Sequence, residues 1–237
     1  MAVKRAHILQ HVVFEGPGYI ADWLSAHGAE VSTTAWFDSS PELPALDGID
    51  LLVCLGGPMS VHDNEKYPWL ADERDFLREA IKRGVPTLGI CLGAQQMSLC
   101  LGGEVNPNPV REIGWFGLSG HASKSSIPNV FDGLCALHWH SECFSLPNGA
   151  ELLASSKACG VQAALLGERA LALQCHLEIK PKGLEDLVAH CSDELDAGPA
   201  VQSTETLLQW PKTTYEEMHK ALTKLLSWLT TTRTAAK

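Results

Sequence analysis

Along the first 90 residues the apolar positions switch between two spacings. Short apolar runs at residues 6–14, 29–36, 50–55 and 85–90 predict strands, whereas residues 68–83 repeat every three to four positions. In that repeat Trp69, Leu70, Phe76, Leu77, Ala80 and Ile81 share one stripe, with Pro68 in the first turn and Gly84 just past the end. Strands alternating with crossover helices predict an α/β fold whose central sheet is mostly parallel and flanked by helices. From residue 103 to about 178 the pattern changes to short segments broken by Asn106-Pro107-Asn108-Pro109, Pro147-Asn148-Gly149 and Gly167-Glu168, which predicts extra antiparallel strands and hairpins.

Helical spacing returns near the end. Leu184, Leu187, Val188, Cys191 and Leu195 mark one helix; Tyr215, Met218, Leu222, Leu225 and Leu229 mark a final one. Thr213 with Glu216, or Thr214 with Glu217, offers the final helix a capping box. Residues 196–206, rich in Pro, Gly, Ser and Asp, read as a surface loop, because the roughly 30 residues after it are too few for a domain. No internal repeat is visible, and the expectation is a single domain over residues 1–237.

Composition narrows the partners. Eighteen Lys and Arg against 28 Asp and Glu give a net charge of −10, which argues against nucleic acid and anionic membranes. No stretch approaches the roughly 20 apolar residues of a membrane span, and the start of the chain is interrupted by His7, Gln10 and His11. The expected location is the cytoplasm. Eight cysteines without a Cys-x-x-Cys pair are then expected to be reduced thiols.

One cysteine has a special setting. Gly89-Ile90-Cys91-Leu92-Gly93 follows a predicted buried strand and opens a helix through Ala94, Gln95, Met97, Leu99 and Leu101. That is the pattern of a nucleophile elbow: small residues two positions either side let the backbone turn sharply, and the helix N-terminus favours a thiolate. A thiol nucleophile needs an imidazole, and the imidazole an acceptor that orients it. The apolar segment 171–178 ends in His176 and Glu178, alternate positions of a predicted strand and so on one face, about 6.5–7 Å apart at Cα. His138 and His140 have the same alternate spacing and could grip an ion, but the sequence supplies no assigned third and fourth ligand, so no metal is expected. Leu55-Gly56-Gly57-Pro58 follows another predicted strand, where glycine amides can serve an oxyanion.

Together these segments resemble the class I, triad-type glutamine amidotransferases, in particular the glutamine-hydrolysing domain of GMP synthetase and its stand-alone relatives. The resemblance rests on residues 55–61 with Asp63, 67–70, 89–95, 112–115, 138–142, and His176 with Glu178. It spans about 50–180, leaving 181–237 as a helical extension. It implies a flavodoxin-like sheet, Cys91 as nucleophile, His176 as general acid and base, and Glu178 as its orienter. It further implies that the amides of Gly57 and Leu92 form the oxyanion hole and that Gly56, Gln95, His140, Ser141 and Glu142 contact substrate. Three positions depart from the family: Ser141-Glu142 stands where Gly-Asp is usual, and Leu177 where proline is frequent.

The implied reaction is cleavage of the γ-amide of glutamine through a cysteine thioester, without a cofactor, with ammonia passed to a synthase. No Gly-rich phosphate loop occurs in the 59 residues after Glu178, so any synthase is expected to be a separate subunit. Some relatives are instead γ-glutamyl peptidases acting on glutathione-like compounds, and a third possibility is a scaffold that binds a ligand or partner without catalysis. A Cys-type α/β-hydrolase would place its acid well before its histidine. Here the acid follows by two residues, which disfavours that alternative.

Overall fold

The computed structural model describes residues 3–231; residues 232–237, the end of the expected helical extension, lie outside it. The elements run β1 (Arg5–Gln10), α1 (Tyr19–Ala26), β2 (Glu30–Ala35), β3 (Leu51–Cys54), α2 (Trp69–Lys82), β4 (Thr87–Ile90) and α3 (Leu92–Cys100). They continue with β5 (Val105–Gly117), β6 (Ser119–Gly120), β7 (Cys135–Phe144), β8 (Glu151–Ser155), β9 (Ala163–Leu165) and β10 (Ala170–Leu173). The last are α4 (Pro181–His190), β11 (Ala200–Val201), α5 (Thr204–Leu208) and α6 (Lys212–Thr230).

Eight strands form one sheet in the order β2-β1-β3-β4-β10-β9-β8-β6. The first five run parallel, and β9, β8 and β6 extend the sheet antiparallel. A second sheet, β11-β5-β7, stands beside it. The fold is therefore the expected mostly parallel α/β sheet with antiparallel additions. Successive strand residues feed opposite faces, as the pleat requires. Ile8, Leu51, Val53 and Leu173 join α1, α4, α6 and the second sheet in one apolar cluster; Leu9, Leu52, Cys54 and Ala172 join α2 and α3 in another.

The structure corrects four local expectations. The first strand ends at Gln10, and residues 11–18 form a loop followed by α1, a helix of eight residues with three buried positions, too short for its period to register. β10 ends at Leu173, and the chain then crosses to the second sheet, where His176 N–H donates to Leu137 O at 2.8 Å. Residues 196–206 contain β11 and the start of α5, held because the Gln202 amide spans the Trp115 backbone, accepting from N–H at 3.0 Å and donating to the carbonyl at 3.1 Å. The capping box does not form: α6 starts at Lys212, after Pro211, whose carbonyl takes the Thr214 amide at 3.0 Å.

Candidate active site

The turn from β4 into α3 sets Cys91 apart. Its φ of 48° is the one positive value outside glycine among the described residues, a conformation that stores about 1–3 kcal/mol and persists only when its surroundings hold it. Close packing that glycine alone permits does so. A β-carbon on Gly93 would lie 2.1 Å from the Cys54 carbonyl oxygen, and one on Gly89 would lie 2.4 Å from Met97 Sδ. Cys91 N–H donates to Leu173 O at 2.7 Å and Gly93 N–H to Leu55 O at 3.1 Å. The elbow is thus tied to the carboxyl ends of both neighbouring strands.

Around the sulfur, Gln174 Nε2 donates to Sγ at 3.6 Å and the thiol faces the Trp139 carbonyl at 3.7 Å. His176 stands beside the same cysteine: a β-carbon placed on Gly56 would lie 3.2 Å from His176 Cε1 and 3.6 Å from Cys91 Cβ, and His176 Nδ1–H donates to Glu178 Oε1 at 2.7 Å. Burial by itself would lower the imidazole pKa. The Glu178 charge and the hydrogen bonds to Cys91 and Glu178 outweigh it and hold His176 well above its ordinary value. The arrangement favours an imidazolium beside a sulfur.

The Gly56-Gly57 turn is set from behind by a buried pair. His11 Nδ1 bonds the Gly56 carbonyl at 2.9 Å while its Nε2 meets Glu73 Oε2 at 2.9 Å. Burial opposes charge at both groups, yet their mutual attraction and hydrogen bonds raise the His11 pKa and lower that of Glu73. In a trans peptide the carbonyl and the next amide point opposite ways, so pinning the Gly56 carbonyl turns the Gly57 N–H away from His11. Neither that amide nor Leu92 N–H, at the start of α3, has a backbone acceptor among the described residues.

A cavity of about 440 Å³ is bordered by Cys91, His176, Gly57, Gln95, His140, Ser141 and Glu142. Gln95 Nε2 donates to the Glu142 carbonyl at 3.3 Å, and Glu142 Oε1 accepts from Ser60 Oγ at 3.1 Å. The ring nitrogens of His140 lie 3.0 Å from the Glu142 carbonyl and 3.1 Å from Glu112 Oε2. Gly56 and Glu178 border an adjoining cavity of about 430 Å³. Leu92 lies beneath, buried.

His138 and His140 find an unforeseen companion in Glu112, their ligating atoms lying within 4.8 Å of one another. Glu112 Oε2 accepts from Gln162 Nε2 at 2.7 Å, and burial pushes the His138 pKa down to about 4. The cluster ties β5 to β7 behind the wall that carries Trp139. Gln174 at the thiol, and Glu15, Arg111 and Glu194 around the cavity, are functional candidates that the sequence motifs do not mark. The Gly16-Pro17-Gly18 run is a usable signal for Glu15, since it marks a loop directly after the strand expected over residues 6–14. Tyr19 N–H, just beyond that run, donates to the Glu178 carbonyl at 2.8 Å.

A parallel sheet that delivers a cysteine elbow to its carboxyl edge defines the class of protein. Residues 19–189 match the family Glutamine amidotransferase class-I, and the chain belongs to that family. Over 232 residues it is 27% identical to the glutamine amidotransferase-like protein YfeJ of Salmonella typhimurium, spanning 95% of this chain and 97% of that one. A glutamine amidotransferase from Thermotoga maritima has a solved structure that matches with a TM-score of 0.89 at 26% identity, over 98% of this chain and 100% of that one. The glutamine-hydrolyzing GMP synthase of Cellvibrio japonicus is 32% identical over 136 residues. That match spans 54% of this chain and 24% of the synthase.

Proposed function

We propose that the protein hydrolyses a γ-glutamyl amide, with glutamine as the reference substrate, through a thioester on Cys91. The observation that carries this is the grouping of Cys91 with the hydrogen-bonded pair His176 and Glu178 beside Gly56, at the edge of a cavity that Cys91 and His176 both border. The sulfur attacks the γ-carbonyl, the oxyanion takes the amides of Gly57 and Leu92, and His176 protonates the departing nitrogen. Water, activated by His176, then cleaves the thioester and releases glutamate. Gly56, Gln95, His140, Ser141 and Glu142 hold the glutamyl half, Glu142 by facing its ammonium. No cofactor enters either step.

A cytoplasmic location suits this thiol chemistry, and the eight cysteines stand as free thiols. Ammonia from glutamine would pass to a separate synthase subunit. A second reading, a γ-glutamyl peptidase, is favoured by one feature: the space bordering His176 continues past it toward Leu187 on α4 and is large enough for a leaving group bigger than ammonia.

The test is a glutamine-mimicking electrophile followed by mass spectrometry, with glutamate release measured alongside. The adduct is expected on Cys91, and Cys91→Ala is expected to lose turnover while keeping the wild-type circular dichroism. Labelling at Cys100 or Cys143 in place of Cys91 would reject the assignment.

A further inference from the structure

The cavity at Cys91 holds more negative charge than glutamine can answer. Glu15, Glu142 and Glu194 border it, against the Arg111 guanidinium and the His176 imidazolium. Arg111 is engaged within the protein: Nη1 donates to Asp196 Oδ1 at 2.7 Å and to the Glu194 carbonyl at 2.9 Å. If Glu142 faces the glutamyl ammonium, Glu15 and Glu194 remain without a counter-charge from glutamine.

Their position relates them to the leaving half of the substrate. His176 protonates the departing nitrogen, so that half lies on the histidine's side. Glu15, His176 and Leu187 border both cavities, whereas Gln95 and Glu142 border only the first. Cys191 and Glu194 border only the first cavity, but they follow Leu187 at the end of α4, and after burial it is the Glu194 and Glu15 charges that act most on the Cys191 thiol, which groups the three on that side. Burial pushes the Glu15 carboxyl up to about 7; His176 and His11 pull it down, and Glu178 and Glu194 push it further up. Glu194 is likewise raised, mainly by burial, which outweighs the Trp139 side chain and the Arg111 charge that pull it down. An independent observation lies on the same side: Glu178 pairs Oε1 with His176, but its Oε2 is buried without a hydrogen-bond partner among the described residues, and Glu178 borders the second cavity with Glu15 and with Lys180 and Lys182, whose ammonium groups are paired with Asp22 and Asp186. Carboxylates in that state gain most from a bound cation.

We propose that the substrate is a γ-glutamyl amide of an aliphatic amine bearing a second, positively charged amino group, received by Glu15 and Glu194 with its methylenes against Leu187 and Cys191. This rests on the γ-glutamyl hydrolase activity proposed above and names its substrate class. The C–N bond of the amide breaks as the C–S bond to Cys91 forms, and the nitrogen leaves with the His176 proton. Water then replaces sulfur, giving glutamate and the free diamine. A leaving half that ends in a carboxylate, as in glutathione, would meet repulsion from the same two residues.

The experiment compares kcat/KM of the full chain for γ-glutamyl-1,4-diaminobutane, γ-glutamylbutylamine, glutamine and glutathione, with trapping of the Cys91 thioester in each case. The charged amide is expected to exceed its neutral analogue by about tenfold or more, with the ratio shrinking as salt rises. Glu15→Gln and Glu194→Gln should each reduce that ratio several-fold, and either variant, or the salt dependence alone, reads the same contribution if the other fails to fold. A thioester formed equally well from charged and neutral amides, or a preference for glutamine or glutathione, overturns the substrate class and leaves the hydrolase standing. No thioester from any of the four overturns both.

Discussion

Glu178 raises the pKa of His176 through charge, and Glu178→Gln removes that charge while keeping an oxygen 2.7 Å from Nδ1 in the native geometry. In the proposed mechanism the working state pairs a sulfur with a protonated imidazole, which is lost as pH rises through the elevated His176 pKa. The alkaline limb of kcat/KM should therefore move to lower pH in Glu178→Gln, by about one unit or more. Glu178→Ala, which leaves His176 present but unoriented, should retain more activity than His176→Ala. An unshifted alkaline limb in Glu178→Gln would mean that Glu178 acts through position alone. Of these residues, Cys91, His176 and Glu178 were legible because each sits in a short contiguous motif whose chemistry follows from residue type. His11, Glu15 and Gln174 were not legible. His11 and Glu15 meet the site from the loop after β1, remote in sequence from the elbow, and His11 falls inside residues 6–14, whose apolar neighbours read as strand; Gln174, two residues before His176, carries no chemical motif of its own.

Among the elements, the inner parallel strands and α2 were legible because burial on both faces makes apolar runs and an amphipathic helix makes a stripe, while the edge strand β2, with Thr34 its one buried residue, was legible from its β-branched residues. α1 and β11 were not, being set by tertiary contacts: Gln202 on Trp115 for one, and the Glu178 carbonyl receiving Tyr19 for the other. The elbow is where element geometry becomes chemistry, and its glycines carry a measurable prediction. Gly93→Ala places a methyl 2.1 Å from a backbone oxygen that cannot move without shifting β3. Urea unfolding should show a loss of about 2–3 kcal/mol or more, together with loss of electrophile labelling at Cys91. Gly160, where a β-carbon would meet nothing within 4 Å, supplies the comparison: Gly160→Ala should stay within about 0.5 kcal/mol of wild type.

At the scale of the whole molecule, the open issue is whether the helical extension after residue 181 is an appendage or part of one folding unit. We propose one unit over residues 1–237. Leu222 and Leu225 of α6 belong to the same buried cluster as Ile8, Leu51 and Leu88 of the central sheet. Polar contacts bind the helix to the site as well: His219 Nε2 lies 2.9 Å from the carbonyl of Ile179, next to Glu178, and Tyr19 Oη lies 3.0 Å from Thr223 Oγ1. Arg169, at the edge of β10, donates to the Leu229 carbonyl at 2.9 Å. Leu222 is fully buried, so Leu222→Ala should destabilise by about 2–5 kcal/mol through the cavity it leaves. In one unit, far-ultraviolet circular dichroism and tryptophan fluorescence move to the same lower urea midpoint, because sheet and helix lose their shared core together. An appendage behaves differently: Leu222→Ala would then split the transition, with α6 melting first while electrophile labelling of Cys91 persisted.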